Sequence, residues 1–254
     1  MKRILKCCLA LVLGFTVAGC SKGSSGGSGG GEFDKLREHK GVQLWKDGPY
    51  WAETNIGAEN PWDYGYYFWW GDTIGYKRVK DAWVASDGSS SDFSFDYEHT
   101  PTIRKSEVDL LKEGWVKDPN YSYYAHLPPE HDAAHVHWGG EWRMPTGMEF
   151  DELISECDWK WTEIKGVGGY VVRGKGAYAT ASIFLPAAGH GDEKSHKSGG
   201  WAGNYWTSDP NRVGDSFAVV LFFFSDRYNT GSYSGRDNGY PIRPVQGFTK
   251  KRTE

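Results

Sequence analysis

The chain predicts an α+β domain with few short helices, many short, mostly antiparallel strands and long loops. Three observations carry that expectation. One stretch has full helix-start chemistry: Thr146 as N-cap, Glu149 three residues on as the reciprocal half of a capping box, then Phe150, Leu153 and Ile154 on one face. Several runs rich in β-branched and aromatic residues are bounded by Gly, Pro, Asn and Asp. No second linker interrupts the chain after residue 32, so helix and strands belong to one domain.

The first twenty residues read as a lipoprotein signal peptide. Lys2, Arg3 and Lys6 give a basic start, residues 7 to 18 an apolar run, and Val17-Ala18-Gly19-Cys20 a close of small residues before a cysteine. About a dozen apolar residues cannot span a bilayer core, which needs about twenty. The pattern is that of a lipobox, in which Cys20 is diacylated and becomes the mature N-terminus. A cleaved signal followed by an incidental cysteine is the alternative. Residues 21–40 then form a tether and lead-in, almost pure Gly and Ser up to Gly31. Such composition behaves as a flexible coil, with a root-mean-square reach of about 18 Å for a stretch of this length.

Residues 41–248 form the domain and 249–254 a basic tail. Val42 to Trp45 and Tyr50 to Ala52 read as a hairpin turning at Asp47-Gly48-Pro49. Gly65 and Gly71 are expected where the backbone needs positive φ. From Thr73 to Pro129 the pattern is thin, and residues 86 to 94 read as a long inserted loop. A short helix is expected from near Pro129, with Asp132-Ala133-Ala134 in its body and Trp138 buried at its end. The capping-box helix ends near Glu156 or Cys157. Strands follow at Trp159 to Thr162, Gly169 to Val172, Ser182 to Leu185, Ser216 to Phe224 and Gly239 to Val245.

Cys157 alone remains once Cys7, Cys8 and Cys20 are assigned to the leader, so the mature domain has no intramolecular disulfide. Thirteen Trp supply core instead, each aromatic side chain burying about 150–250 Å². The net charge of −4 is dispersed, and no basic run occurs outside the leader and Lys250-Lys251-Arg252. Nucleic acid is therefore not an expected partner.

Four islands occur in a telling order: Trp142-Arg143-Met144-Pro145-Thr146, Ile183 to Gly189, Asn204-Tyr205-Trp206-Thr207-Ser208 and Ile242-Arg243-Pro244-Val245. Asn55-Ile56-Gly57-Ala58, Asp63-Tyr64-Gly65 and residues 67 to 72 accompany them. Together, over residues 41 to 246, they resemble the Fibrobacter succinogenes major paralogous domain family, bacterial surface domains related to the C-type-lectin-like fold of the sulfatase-modifying-factor superfamily. The resemblance implies that fold, and implies that Arg143 and Arg243 sit in structural islands, satisfying buried carbonyls or carboxylates. The superfamily's cysteine-oxidising enzymes use a pair of cysteines, which lone Cys157 cannot supply. The Glu-Pro-Asn and Gln-Pro-Asp tripeptides of calcium-dependent lectin sites do not occur.

Candidate chemistry reduces to two places. His131, His135 and His137 include an i, i+4 pair with metal-ligand spacing, readable also as surface histidines on a capping helix. No nucleophile elbow or phosphate-cradling glycine motif accompanies them. Residues 215 to 240 contain no Lys, Glu, Gln, Met or Trp. Every type present is reachable by randomising the adenines of an Asn codon, and in lectin-like folds diversified by retroelements this region looks like the ligand-facing surface. β-formers and turn residues give the same composition.

In the strand, Leu221 and Phe223 are expected to face the core and Val220, Phe222 and Phe224 solvent, with the opposite register open because both faces are apolar. Asp226, Arg227, Tyr228, Asn229, Tyr233, Arg236 and Asp237 then supply a polar rim to an exposed aromatic patch. The expectation is a non-enzymatic, cofactor-free surface lipoprotein of the bacterial cell envelope, in the outer membrane or at the cell surface. It binds an extracellular protein or glycan through Phe222, Phe224 and that rim. The alternative is an exported enzyme using the histidine cluster.

Overall fold

The computed structural model describes residues 38–117, 126–211 and 215–247. The Cys20 lipobox, residues 21–37 of the tether and the basic tail lie outside the described residues. Strands paired antiparallel dominate, with few short helices, the expected α+β class.

A four-stranded sheet gathers the two ends and the middle of the domain. Its order is β1 (Gly41–Gln43), β2 (Tyr50–Ala52), β14 (Val245–Gln246) and β5 (Trp142–Arg143). The β1–β2 hairpin is where sequence placed it, with Asp47 at φ 63° in its turn. Gly65 and Gly71 adopt the expected positive φ, 77° and 90°, and a Cβ on Gly65 would strike the Ile56 carbonyl.

Two three-stranded meanders follow. The first is β6 (Cys157–Ile164), β7 (Val167–Gly174) and β8 (Ser182–Pro186). The second is β11 (Gly203–Pro210), β12 (Phe217–Phe224) and β13 (Arg227–Gly235). The second sheet divides the core. Trp206, Ala218 and Val220 pack on one side with Phe68, Trp70, Trp142 and Ile242. Tyr205, Leu221 and Phe223 pack on the other with Trp51, Phe150, Leu153, Tyr170 and Leu185. A central strand covered on both faces has no polar side, which is why residues 217 to 224 are apolar throughout.

That double burial corrects the expected register in part. Leu221 and Phe223 are buried as expected, but Val220 is 3% exposed rather than solvent-facing. Phe222 and Phe224 share its face and are half-buried.

Among the described residues, three α-helices complete the frame. The first, α1 (Glu107–Lys112), carries a capping box of Ser106 and Asp109. The second, α2 (Ala133–Trp138), follows a 3-10 turn at Pro129–His131. Asp132, expected in a helix body, is its N-cap; the carboxylate accepts the His135 N–H at 3.1 Å and the Met144 N–H at 2.8 Å. The third, α3 (Gly147–Glu156), has the expected Thr146–Glu149 capping box and buries Phe150 and Leu153.

The thinly patterned segment holds structure of its own. Strands β3 (Tyr76–Val79) and β4 (Ala82–Ala85) form a hairpin. Phe93 and Ser94, expected in a loop, are buried, and the Phe93 and Phe95 rings join Tyr67, Tyr76 and Trp83 in a third cluster. A last hairpin is β9 (His190–Asp192) with β10 (Ser195–Lys197). The strand expected over 239–245 is reduced to bridges at Gly239 and Tyr240 and then β14, because Pro241 and Pro244 have no N–H to donate.

Candidate binding surface

Residues 227 to 235, expected as rim loops, instead form β13, a nine-residue strand at the edge of its sheet. Its polar, Gly- and Ser-rich sequence suits a strand with one side in water. Pairing decides which face each side chain takes. Phe222 lies opposite Asn229, Phe223 opposite Tyr228 and Phe224 opposite Arg227. Cross-strand partners share a face, so Phe222, Phe224, Arg227 and Asn229 stand on one side and Tyr228 on the other with buried Phe223. Between Val220 and Phe222 the register shifts by a bulge at Thr230-Gly231. Beyond it Tyr233 lies opposite Val219 and is 51% exposed.

The first face is a compact aromatic patch. The Phe222 and Phe224 rings meet edge to face with centroids 4.6 Å apart, and the Arg227 guanidinium lies 4.8 Å from the Phe224 centroid. Phe222 roots the patch by packing on the core that holds Trp206 and Val220. Arg227 and Asn229 are exposed beside it, and the Asn229 carboxamide accepts the Gly231 N–H at 2.7 Å.

The second face is aromatic too. Tyr228 stacks on Trp159 of β6 at 4.7 Å and 24°, and meets Tyr170 of β7 edge on at 5.4 Å. Trp159 and Trp161 belong to the strand expected over Trp159 to Thr162. The signal for this face is in the sequence, since two Trp two apart in a strand share a face.

Two rim assignments are corrected. Arg236 is fully buried: its Nε donates to the Phe217 carbonyl at 2.9 Å, its Nη1 to the Thr102 and Lys105 carbonyls at 3.0 and 2.9 Å, and it lies 5.1 Å from the Trp70 ring. Burial lowers its pKa to about 10, leaving it charged at neutral pH. It is a structural clamp. Asp237 is half-buried with its carboxyl raised by burial, and lies past the far end of β13 from exposed Asp226. Eight residue steps of strand separate those ends by about 27 Å, too far for one rim.

The histidine cluster is not assembled. His131 lies in the 3-10 turn and stacks on Trp115 at 4.0 Å, whereas His137 is buried in α2 and hydrogen-bonds the Thr73 carbonyl at 3.0 Å. Asp132 ends the turn and starts the helix between His131 and His135, so the expected i, i+4 face does not exist. Among the described residues no three His, Cys, Asp or Glu side chains group to hold a metal ion. Cys157 is buried at the end of α3, and burial pushes its thiol up to about 12. It stays protonated and is a poor nucleophile.

The two arginines assigned to structure occupy such positions. Arg143 pairs with Glu149 and donates to the Met144 carbonyl at 3.1 Å. Arg243 is fully buried and reaches Asn55 and the Ala52, Glu53 and Phe184 carbonyls.

A cleft of about 370 Å³ opens between α2 and β5, lined by Leu127, Pro129, His135, Trp142 and Met144 among others. Asp132 lines it and is engaged in capping, its carboxylate accepting the His135 and Met144 N–H groups.

No protein-family model, curated protein or solved structure matches this chain.

Proposed function

We propose that this chain is an exported, lipid-anchored binding module of the bacterial cell envelope, with a C-type-lectin-like domain of the major paralogous family. It captures an extracellular protein or glycan through the β12–β13 surface. The observation that carries the reading is the half-exposed Phe222–Phe224 pair of central strand β12 with Arg227 of edge strand β13 over Phe224. Aromatic and Arg side chains at a rooted, partly desolvated patch are the residue types that dominate binding energy at interfaces. The four sequence islands support the family, and the leader pattern supports the anchor. No described helix is long and apolar enough to cross a membrane.

Purified protein on a protein and glycan array is expected to give saturable, reversible capture without turnover of the ligand. Conversion of a captured ligand to product, or no capture at all, would count against a binding module.

The anchor has its own test. Replacing Cys20 with Ala is expected to move the protein from the membrane fraction to the soluble fraction, since acyl chains contribute about 0.8 kcal/mol per buried CH₂ and the leader run is too short to hold a bilayer by itself. A Cys20→Ala protein that remains acylated and membrane-bound would refute the lipobox.

A further inference from the structure

We infer that the Trp159–Tyr228 stack, on the sheet face opposite Phe222 and Phe224, is a platform for the apolar face of a neutral pyranose sugar. The inference deepens the binding-module reading by naming a ligand class at a second face, and its test separates the two.

The platform is held rigid before any ligand arrives. The Trp159 indole N–H donates to the Leu153 carbonyl at 3.0 Å, which anchors the indole to the end of α3. Tyr170, only 4% exposed, meets Trp159 at 5.4 Å and 65° and Tyr228 at 5.4 Å and 86°, so one buried ring supports both members of the stack. Behind Tyr170 stands Phe223 at 5.3 Å, continuous with the core. Tyr228 is 37% exposed, so an aromatic surface of low conformational freedom faces solvent. Aromatic rings give large contact area at small entropic cost, and rigidity reduces the cost of binding further.

The polar groups around the stack select the ligand. Tyr170 meets Tyr228 edge on, and Asp226 stands in the β12–β13 turn two residues before Tyr228; burial, the Tyr228 phenol and the Asp226 carboxylate all raise the Tyr170 hydroxyl pKa. Glu163 occupies the same β6 face as Trp159 and Trp161. Three cations of these strands point away: alternation puts Lys160, and Arg173 opposite Asp158, on the other face of the β6–β7 pair, and Arg227 lies over Phe224 on the other side of its sheet. A surface dominated, among the described residues, by π-faces, phenols and carboxylates disfavours phosphates and acidic polymers. It accepts hydrogen bonds from hydroxyls while its rings cover C–H groups. A neutral sugar combines those two features, with hydroxyls around its edge and C–H groups on its face.

Affinity electrophoresis of the full chain, in detergent, through gels containing hydroxyethylcellulose, a soluble β-1,3-glucan, galactomannan or arabinoxylan tests the assignment, with polygalacturonate as the acidic comparison. At least one neutral polymer is expected to retard the protein. Tyr228→Ala should weaken that retardation at least about tenfold while unfolding stays cooperative. Asp226→Asn, an exposed change that leaves packing intact, should weaken it about threefold or more, and Lys160→Ser, an exposed change on the other face of β6, should leave it unchanged. Retardation by polygalacturonate alone, by none of the four neutral polymers, or equally in wild type and Asp226→Asn would overturn the platform. Loss in Phe224→Ser with full retention in Tyr228→Ala would also overturn it and leave the binding-module reading standing on the first face.

Discussion

Replacing Trp206 with Ala is expected to lower stability by about 3–5 kcal/mol, the range for truncating a large buried aromatic. Trp206 is fully buried on β11 and packs against Tyr240 with centroids 4.6 Å apart. Its indole N–H donates to the Phe68 carbonyl at 2.7 Å, while the Trp70 indole N–H returns a bond to the Thr207 carbonyl at 3.0 Å. This reciprocal pair ties residues 68 to 70 to the central sheet, so truncation opens a cavity and removes one of the two donors to the Phe68 carbonyl, which keeps the Tyr240 N–H at 3.0 Å. Asp226→Ala, on an exposed turn, should cost under about 0.5 kcal/mol. Urea midpoints at constant m-value give the comparison, and an Asp226→Ala loss equal to that of Trp206→Ala would make the β12–β13 turn structural.

The second large effect is expected at Arg243, where substitution by Ala should cost about 3 kcal/mol or more. The guanidinium supplies Nε to Asn55 Oδ1 at 2.8 Å, Nη1 to the Ala52 and Glu53 carbonyls at 3.0 Å each, and Nη2 to the Phe184 carbonyl at 2.9 Å. These acceptors come from the opening hairpin and from β8, so one side chain near the end of the domain joins its beginning to its middle. Burial lowers its pKa to about 10, and it stays charged at neutral pH. Removing it leaves several buried acceptors unsatisfied, each costing about 1–3 kcal/mol before relaxation. Arg243→Lys should restore little, because an ammonium cannot reproduce the planar fork. Denaturation of Arg243→Ala at a near-wild-type midpoint would show that water replaces the guanidinium without cost.

Much of this frame was legible in the residues. Thr146 and Glu149 are a local motif whose geometry needs nothing from the rest of the chain, and α3 begins where they place it. The strands β6, β7 and β8 carry their own patterning. What stayed hidden depends on distant partners. An Arg between Gly235 and Asp237 reads as surface, and nothing local reveals that Thr102 and Lys105 come round to receive it. The β3–β4 turn has Lys80 at φ 55°, where Gly or Asn would have announced a hairpin. The Ser106–Asp109 cap of α1 was readable by the same rule that found Thr146. β12 was ambiguous because a strand between two cores has no polar face from which to read register. The buried positions Ala218, Val220, Leu221, Phe223 and Arg236 have packing reasons for their identity. Any diversification of residues 215 to 240 would therefore act on the exposed positions of β13 and its turns.

The most direct test of the binding account compares wild type with a variant carrying Phe222→Ser, Phe224→Ser and Arg227→Ser on the same protein and glycan array, after both are shown to unfold cooperatively. The three side chains are half-exposed or exposed, so the variant is expected to stay folded. Its capture should fall about tenfold or more, since interface aromatic and Arg anchors contribute upwards of about 1–2 kcal/mol each. Wild-type capture by a folded triple variant would contradict the assignment of this face.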